Sequence, residues 1–196
     1  MHSILRAVAG ILLALLAVSS PAADLPTLLS EATNANRDVR LNAVFNLGSS
    51  TDPAALQAVI RATTDRDAGV RRTAAEALGK MQGPRVIETL TSILGDPDSY
   101  VREKAVRGLA ASTDPKATVG LVQALKDENW IAAVAVGGLD RAGWKPANDA
   151  ERIAYMIARQ DWMGLRNCGE PCIAPLMEAL KTGKGFGKKE TVLTAL

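Results

Sequence analysis

The chain has 196 residues, with 23 Lys and Arg against 21 Asp and Glu and 47% hydrophobic residues. That near balance argues against nucleic acid as the main partner, which asks for a basic stripe. The one histidine, His2, stands at the start of the chain, so histidine-based metal sites and general bases are excluded from the rest.

The first predicted element is a leader. Met1 to Arg6 carries one charge, Ala7 to Val18 is apolar or small, and Ser20-Pro21-Ala22 offers small residues for cleavage. The pattern reads as a secretory signal peptide over residues 1–22, with a repeat domain over 23–196. The apolar run is short for ~30 Å of hydrocarbon, so a retained anchor is the lesser alternative. Cleavage removes Arg6 and no acid, leaving 22 basic against 21 acidic residues, a net charge of +1. The expectation is a periplasmic or secreted protein with no stable membrane span after cleavage.

Beyond the leader the chain keeps a fixed beat. Pro53, Pro84, Pro115 and Pro146 stand 31 residues apart. Proline is tolerated in the first turn of a helix, where its missing N–H has no partner in any case. Each proline is therefore expected to open the first helix of a two-helix unit. The second helix carries Val39, Val70, Val101 and Ile131. Ala43, Ala74, Ala105 and Ala135 follow four residues on, and Leu47, Leu78, Leu109 and Leu139 eight residues on. Apolar residues at i, i+4 and i+8 form one helix face. Asp67 and Asp98 stand where N-caps belong. Arg40, Arg71 and Arg102 share the repeat period with turn residues Asp65, Asp96 and Asp127, so an Asp–Arg ladder stitching units together is expected. In the fourth unit Ala132 replaces the arginine.

The run Asp67-Ala-Gly-Val70-Arg71-Arg72-Thr-Ala74-Ala75-Glu-Ala-Leu78-Gly79 resembles the second helix of a HEAT-like repeat of the phycobilisome-lyase type. Asp98-Ser-Tyr-Val101-Arg102-Glu-Lys-Ala105-Val-Arg-Gly-Leu109 is similar to it. Gly143-Trp144-Lys145-Pro146 through Tyr155, Ala158 and Trp162, then Gly169-Glu170-Pro171 and Pro175-Leu176, resembles an atypical unit of bacterial and archaeal HEAT-repeat proteins. The resemblance runs over about residues 25–196 and implies an all-α solenoid of about five and a half helix pairs. For some members it implies lyase or isomerase chemistry on a bilin.

Trp144, Trp162 and Tyr155 of the atypical unit, with Trp130 before it, read as rings filling a gap where the spacing changes; an aromatic cage is the alternative. Cys168 and Cys172, four residues apart at a bend, fit a local disulfide in an exported chain or two buried small hydrophobes. Lys181 to Lys189, with its three glycines, reads as a solvated loop. Val192, Leu193 and Leu196 then begin a helix face with nothing following to cover it, the mark of an array that continues.

No catalytic, cofactor-binding or metal-binding residues emerge. The outward positions of the second helices are the candidates for contact with a partner: Asn42, Phe45, Thr73, Glu76, Lys104 and Arg107. They vary from unit to unit while the core positions do not. The expected function is a non-enzymatic scaffold holding a protein or peptide along a concave helical surface, with a bilin lyase or lyase subunit as the rival reading.

Overall fold

The computed structural model describes residues 24–182 except Pro84, and every element among them is helical. The leader, Pro84, the glycines after Thr182, and the apolar residues Val192, Leu193 and Leu196 lie outside the described residues. Four regular helix pairs come first: α1 (Leu25–Glu31) with α2 (Arg37–Leu47), α3 (Pro53–Ala62) with α4 (Ala68–Leu78), α5 (Val86–Ile93) with α6 (Ser99–Ala111), and α7 (Ala117–Ala124) with α8 (Asn129–Arg141). An atypical end follows: α9 (Asp149–Arg159), α10 (Trp162–Arg166), a 3-10 turn (Glu170–Cys172) and α11 (Ile173–Thr182).

Short polar residues start several of the helices by satisfying orphan N–H groups. Asp67 accepts from the Val70 N–H at 3.1 Å, and Asp98 from those of Tyr100 and Val101 at 2.9 and 3.1 Å. Asp52 accepts from Ala54 N–H at 2.7 Å, and Pro53 follows as the first helical residue. The 31-residue proline clock is looser than the helix starts. Pro115 sits in a turn before Ala117, and Pro146 sits in the loop before α9. There Asn148 is the cap, accepting from Glu151 N–H at 2.9 Å, while Glu151 accepts from Ala147 N–H at 2.8 Å. This reciprocal pair meets two orphan donors, which a proline cannot do, and so it sets the start of α9.

The periodic apolar residues form one continuous core. Val70, Val101, Ile131, all four alanines of the second-helix series and all four leucines are completely buried. Val39 is only half buried, because among the described residues no earlier unit covers it. The second helices pack directly on one another along the array, α2 on α4, α4 on α6 and α6 on α8, and far more closely than the first helices do. Small residues permit this approach: a Cβ placed on Gly79 would lie 3.0 Å from the Gly108 Cα. The second helices therefore form the more closely packed side of the stack.

The Asp–Arg ladder is present and crosses units. Arg40 of α2 reaches Asp65 in the turn between α3 and α4, with Nε donating at 2.7 Å and Nη2 at 2.9 Å. Arg71 holds Asp96 in the same way at 2.7 and 3.0 Å, and Arg102 holds Asp127 at 2.7 and 2.8 Å. Each Nη1 turns back to a backbone carbonyl of the preceding turn: Asn34 at 2.9 Å, Asp65 at 3.0 Å and Asp96 at 3.0 Å. The guanidinium of Arg40 holds the Asp65 carboxyl below its ordinary range. At Asp96 burial pulls upward, and the bonds from Arg71 and the Asp98 N–H outweigh it, so the net direction is again down.

The fourth unit ends the ladder, and its Ala132 is fully buried. Beyond it the packing changes. Helix α9 presents Ala154, Tyr155 and Ala158 to the main core, and Ile153 and Ile157 to a second, smaller cluster with Leu165, Cys172 and Leu176. A disulfide joins Cys168 to Cys172, with Cα atoms 5.9 Å apart. Lys181 belongs to the last turn of α11 rather than to a loop, because the helix runs on to Thr182.

Candidate protein-binding surface

The second-helix side is built by repetition. Residues three and four apart on a helix share a face, so the register that buries Val70, Ala74 and Leu78 turns Arg72 and Glu76 outward. The same register on α6 exposes Tyr100 and Arg107 and leaves Lys104 half buried. Trp130 stands before the core residue Ile131 as Tyr100 stands before Val101. Adjacent second helices bring these side chains into one open cleft of roughly 430 Å³, lined by Arg72, Glu76, Tyr100, Glu103, Lys104, Arg107 and Trp130.

Two rings form its apolar element. Tyr100 and Trp130 meet with centroids 5.5 Å apart and planes tilted by 49°. Their exposures, 59% and 40%, are high for side chains of this size. Trp130 Nε1 donates to Glu128 at 2.9 Å, and Glu128 also accepts from Arg102 at 3.2 Å. The indole is thus held by its edge while a face remains open.

The charges are unevenly satisfied. Glu76 accepts from Lys104 at 3.0 Å and from Lys80 at 3.2 Å. Lys104, opposed by partial burial and helped by Lys80, holds its carboxyl below the usual range. Glu103 is buried, 6% exposed, and receives the Arg107 Nε. Arg107 itself is well exposed, and its contact with Glu103 runs through Nε. Arg72 is exposed and makes no ion pair or hydrogen bond among the described residues. Both carboxylates of the cleft are therefore neutralised from within, while guanidinium donors are left over.

The sequence candidates divide accordingly. Glu76, Lys104 and Arg107 come together in the cleft. Phe45, 59% exposed on α2, is linked to it by Lys80, whose Nζ lies 5.9 Å from the ring centroid. Asn42 is exposed on α2 outside the cleft lining. Thr73 is half buried, and its hydroxyl donates to the Gly69 carbonyl at 3.0 Å, so it is already committed to its own helix. Arg72, Tyr100 and Glu103 are not among the candidates, and Trp130 is one only as part of the alternative aromatic cage. The signal for the aromatic pair was the shared repeat position of Tyr100 and Trp130, and only helix-on-helix contact turns that coincidence into a ring pair. Trp130 consequently does not fill a gap, unlike Trp144, which packs with Tyr155 at 5.6 Å against the main core, and Trp162, which packs on the smaller cluster.

Two further features bear on the choice of surface. A larger cleft, about 790 Å³, lies among the inter-unit loops from Gly48 to Gln57 and Lys80 to Arg85, but its lining has no aromatic side chain and Arg85 there donates to Gln57 at 3.3 Å. Among the described residues no group of three or more His, Cys, Asp or Glu could hold a metal ion, and no helix is long and apolar enough to cross a membrane.

A family profile described as HEAT repeats matches residues 25–110 and 82–139, together more than half of the chain. No curated protein sequence matches it. Among solved structures, the complex of CpcE and CpcF of phycocyanin lyase from Nostoc sp. PCC7120 is similar, with a TM-score of 0.57 and 19% identity, over 91% of this chain and 77% of that one. At that identity the likeness is one of fold.

Proposed function

Because the chain belongs to the HEAT-repeat family, we propose that it is a non-enzymatic scaffold that binds a protein or peptide along the concave second-helix face. The observation carrying this reading is the exposed Tyr100–Trp130 pair set among guanidinium groups on the closely packed side of the stack. Aromatic and arginine side chains dominate binding energy at protein interfaces. The ladder beneath them fixes neighbouring units relative to one another, so little ordering is left to be done on binding. The proposed setting is the periplasm or the extracellular space, on the strength of the leader composition and the paired cysteines.

A photo-crosslinking amino acid at Trp130 or Arg107 tests this in the native host, with Val119 on the exposed face of α7 as control. Discrete protein adducts from the two inner positions and none from Val119 are expected. Adducts from Val119 alone would place the working surface on the first helices.

The fold likeness to a phycocyanin lyase complex supports a second reading, a bilin lyase or lyase subunit. Incubation with a bilin separates the two. A chromophore absorbance that follows the protein, or is transferred to an acceptor protein, favours the lyase; its absence with crosslinks present favours the scaffold.

A further inference from the structure

We infer that the occupant of the cleft is an acidic peptide segment carrying an aromatic or large aliphatic anchor residue; this rests on the scaffold reading and specifies its ligand. Three cations, Arg72, Lys104 and Arg107, line the cleft beside two carboxylates, Glu76 and Glu103, and Lys80 reaches Glu76 from outside the lining. Glu76 is consumed by Lys80 and Lys104, and Glu103 by Arg107. Glu128 at the rim is likewise held by Arg102 and Trp130. The cleft thus offers guanidinium N–H groups and no free carboxylate among its lining side chains.

Guanidinium groups present a planar fork that matches a carboxylate. Arg107 is anchored through Nε on a buried acid while its side chain stays 62% exposed, which leaves its Nη groups for a ligand. Arg72 adds a second fork on the neighbouring helix. Between the two helices and the next, the tilted Tyr100–Trp130 pair offers an apolar bed for one large side chain. A basic segment would meet a surplus of positive charge, and a neutral one would leave the two forks without partners. The chain as a whole is nearly neutral, so the attraction is local to this face and falls off with salt.

Fluorescence anisotropy with the full chain and three labelled peptides tests the inference. One peptide has a central Phe flanked by Asp and Glu, the second the same Phe flanked by Lys, the third the same Phe flanked by Ser and Gly; a single-stranded oligothymidine of similar length is the fourth probe. Expected is binding of the acidic peptide at least roughly tenfold tighter than the other peptides, weakened as salt rises. Arg72→Glu and Trp130→Ala should each weaken it by about tenfold, and Val119→Ser should leave it unchanged. Circular dichroism and a melt confirm that the variants are folded; Arg72, exposed and unpaired, serves where Trp130→Ala destabilises. Equal binding of the three peptides, indifference to Arg72→Glu, or tighter binding of the oligonucleotide would overturn the inference. Binding of the neutral or basic peptide that is lost in Trp130→Ala would remove the acidic specificity and leave the scaffold reading standing. Failure of every peptide would remove both.

Discussion

The ladder pairs are the most consequential single contacts. Arg71 and Asp96 have side-chain exposures of 14% and 9%, so each has given up most of its water for the other. Removing one member strands a buried charge, and Asp96→Ala is expected to cost about 3–5 kcal/mol in urea melts. The double change Arg71→Met with Asp96→Leu should recover most of that loss, because the cost comes from the orphaned charge and not from the absence of the pair. The carboxyls of Asp65 and Asp96 titrate below their ordinary value in the folded chain. A depressed folded pKa gives stability that is present above the unfolded value, ~3.9, and lost as pH falls through the folded one. Unfolding midpoints should therefore be flat from about pH 7 to 5 and fall below about pH 4. In Asp65→Asn the fall should be shallower; an unchanged acid limb would show that the ladder does not carry it. Arg107 follows the same logic. Its outward position alone marks it as tolerant, but it covers Glu103, so Arg107→Ala is expected to cost about 1–3 kcal/mol where Glu76→Ala, losing only exposed pairs, stays near 0.5 kcal/mol.

Between elements, the decisive quantity is the distance between second helices. Gly79 and Gly108 meet backbone to backbone, and Gly108 is also pressed by the Leu90 side chain at 3.0 Å from where a Cβ would stand. Gly108→Val must push α4 and α6 apart, at about 1–3 kcal/mol for overpacking. It should also widen the cleft, which small-angle scattering would register as a straighter, longer particle. A melt shift without any change in radius of gyration would mean that the strain is absorbed inside one unit. A second element-scale test concerns the end of α9. Gln160 adopts the left-handed conformation at φ 60°, a state that costs a side chain about 1 kcal/mol and glycine almost nothing. Gln160→Gly should therefore leave stability unchanged or raise it by up to about 1 kcal/mol.

Across the whole molecule, stability is graded. The main core runs through four pairs tied by the ladder, whereas among the described residues no ladder rung joins the cluster of Ile153, Ile157, Leu165, Cys172 and Leu176 to its neighbour. A small cluster needs a staple, and the Cys168–Cys172 bond is placed to be one, since Cys172 is buried within it. Hydrogen exchange should be slowest in α4, α6 and α8 and faster in α10 and α11. Reductant should speed exchange in α10 and α11 and leave α4 and α6 as they were. Equal acceleration along the whole array would mean that the two clusters open as one unit.

Much of this was legible in the residues. The 31-residue spacing of Ala43, Ala74 and Ala105 with their leucines determined helix pairs, register and core, because helical periodicity and burial are written locally. Asp67 and Asp98 as caps and the Arg–Asp period followed from the same regularity. The proline clock misled at Pro146, where the Asn148–Glu151 cap competes for the helix start and sequence spacing gives no measure of which prevails. The sequence alone determined an α-solenoid with a polar, varied second-helix face. Only the tertiary structure decided which of those varied residues meet. Tyr100 and Trp130 stand 30 residues apart and meet because α6 and α8 pack side by side. Arg107 is bound to a buried acid, Thr73 is spent on its own helix, and Arg72 is left with its donors free, distinctions that depend on which side chains face one another across units and so have no counterpart in the one-dimensional order of the chain.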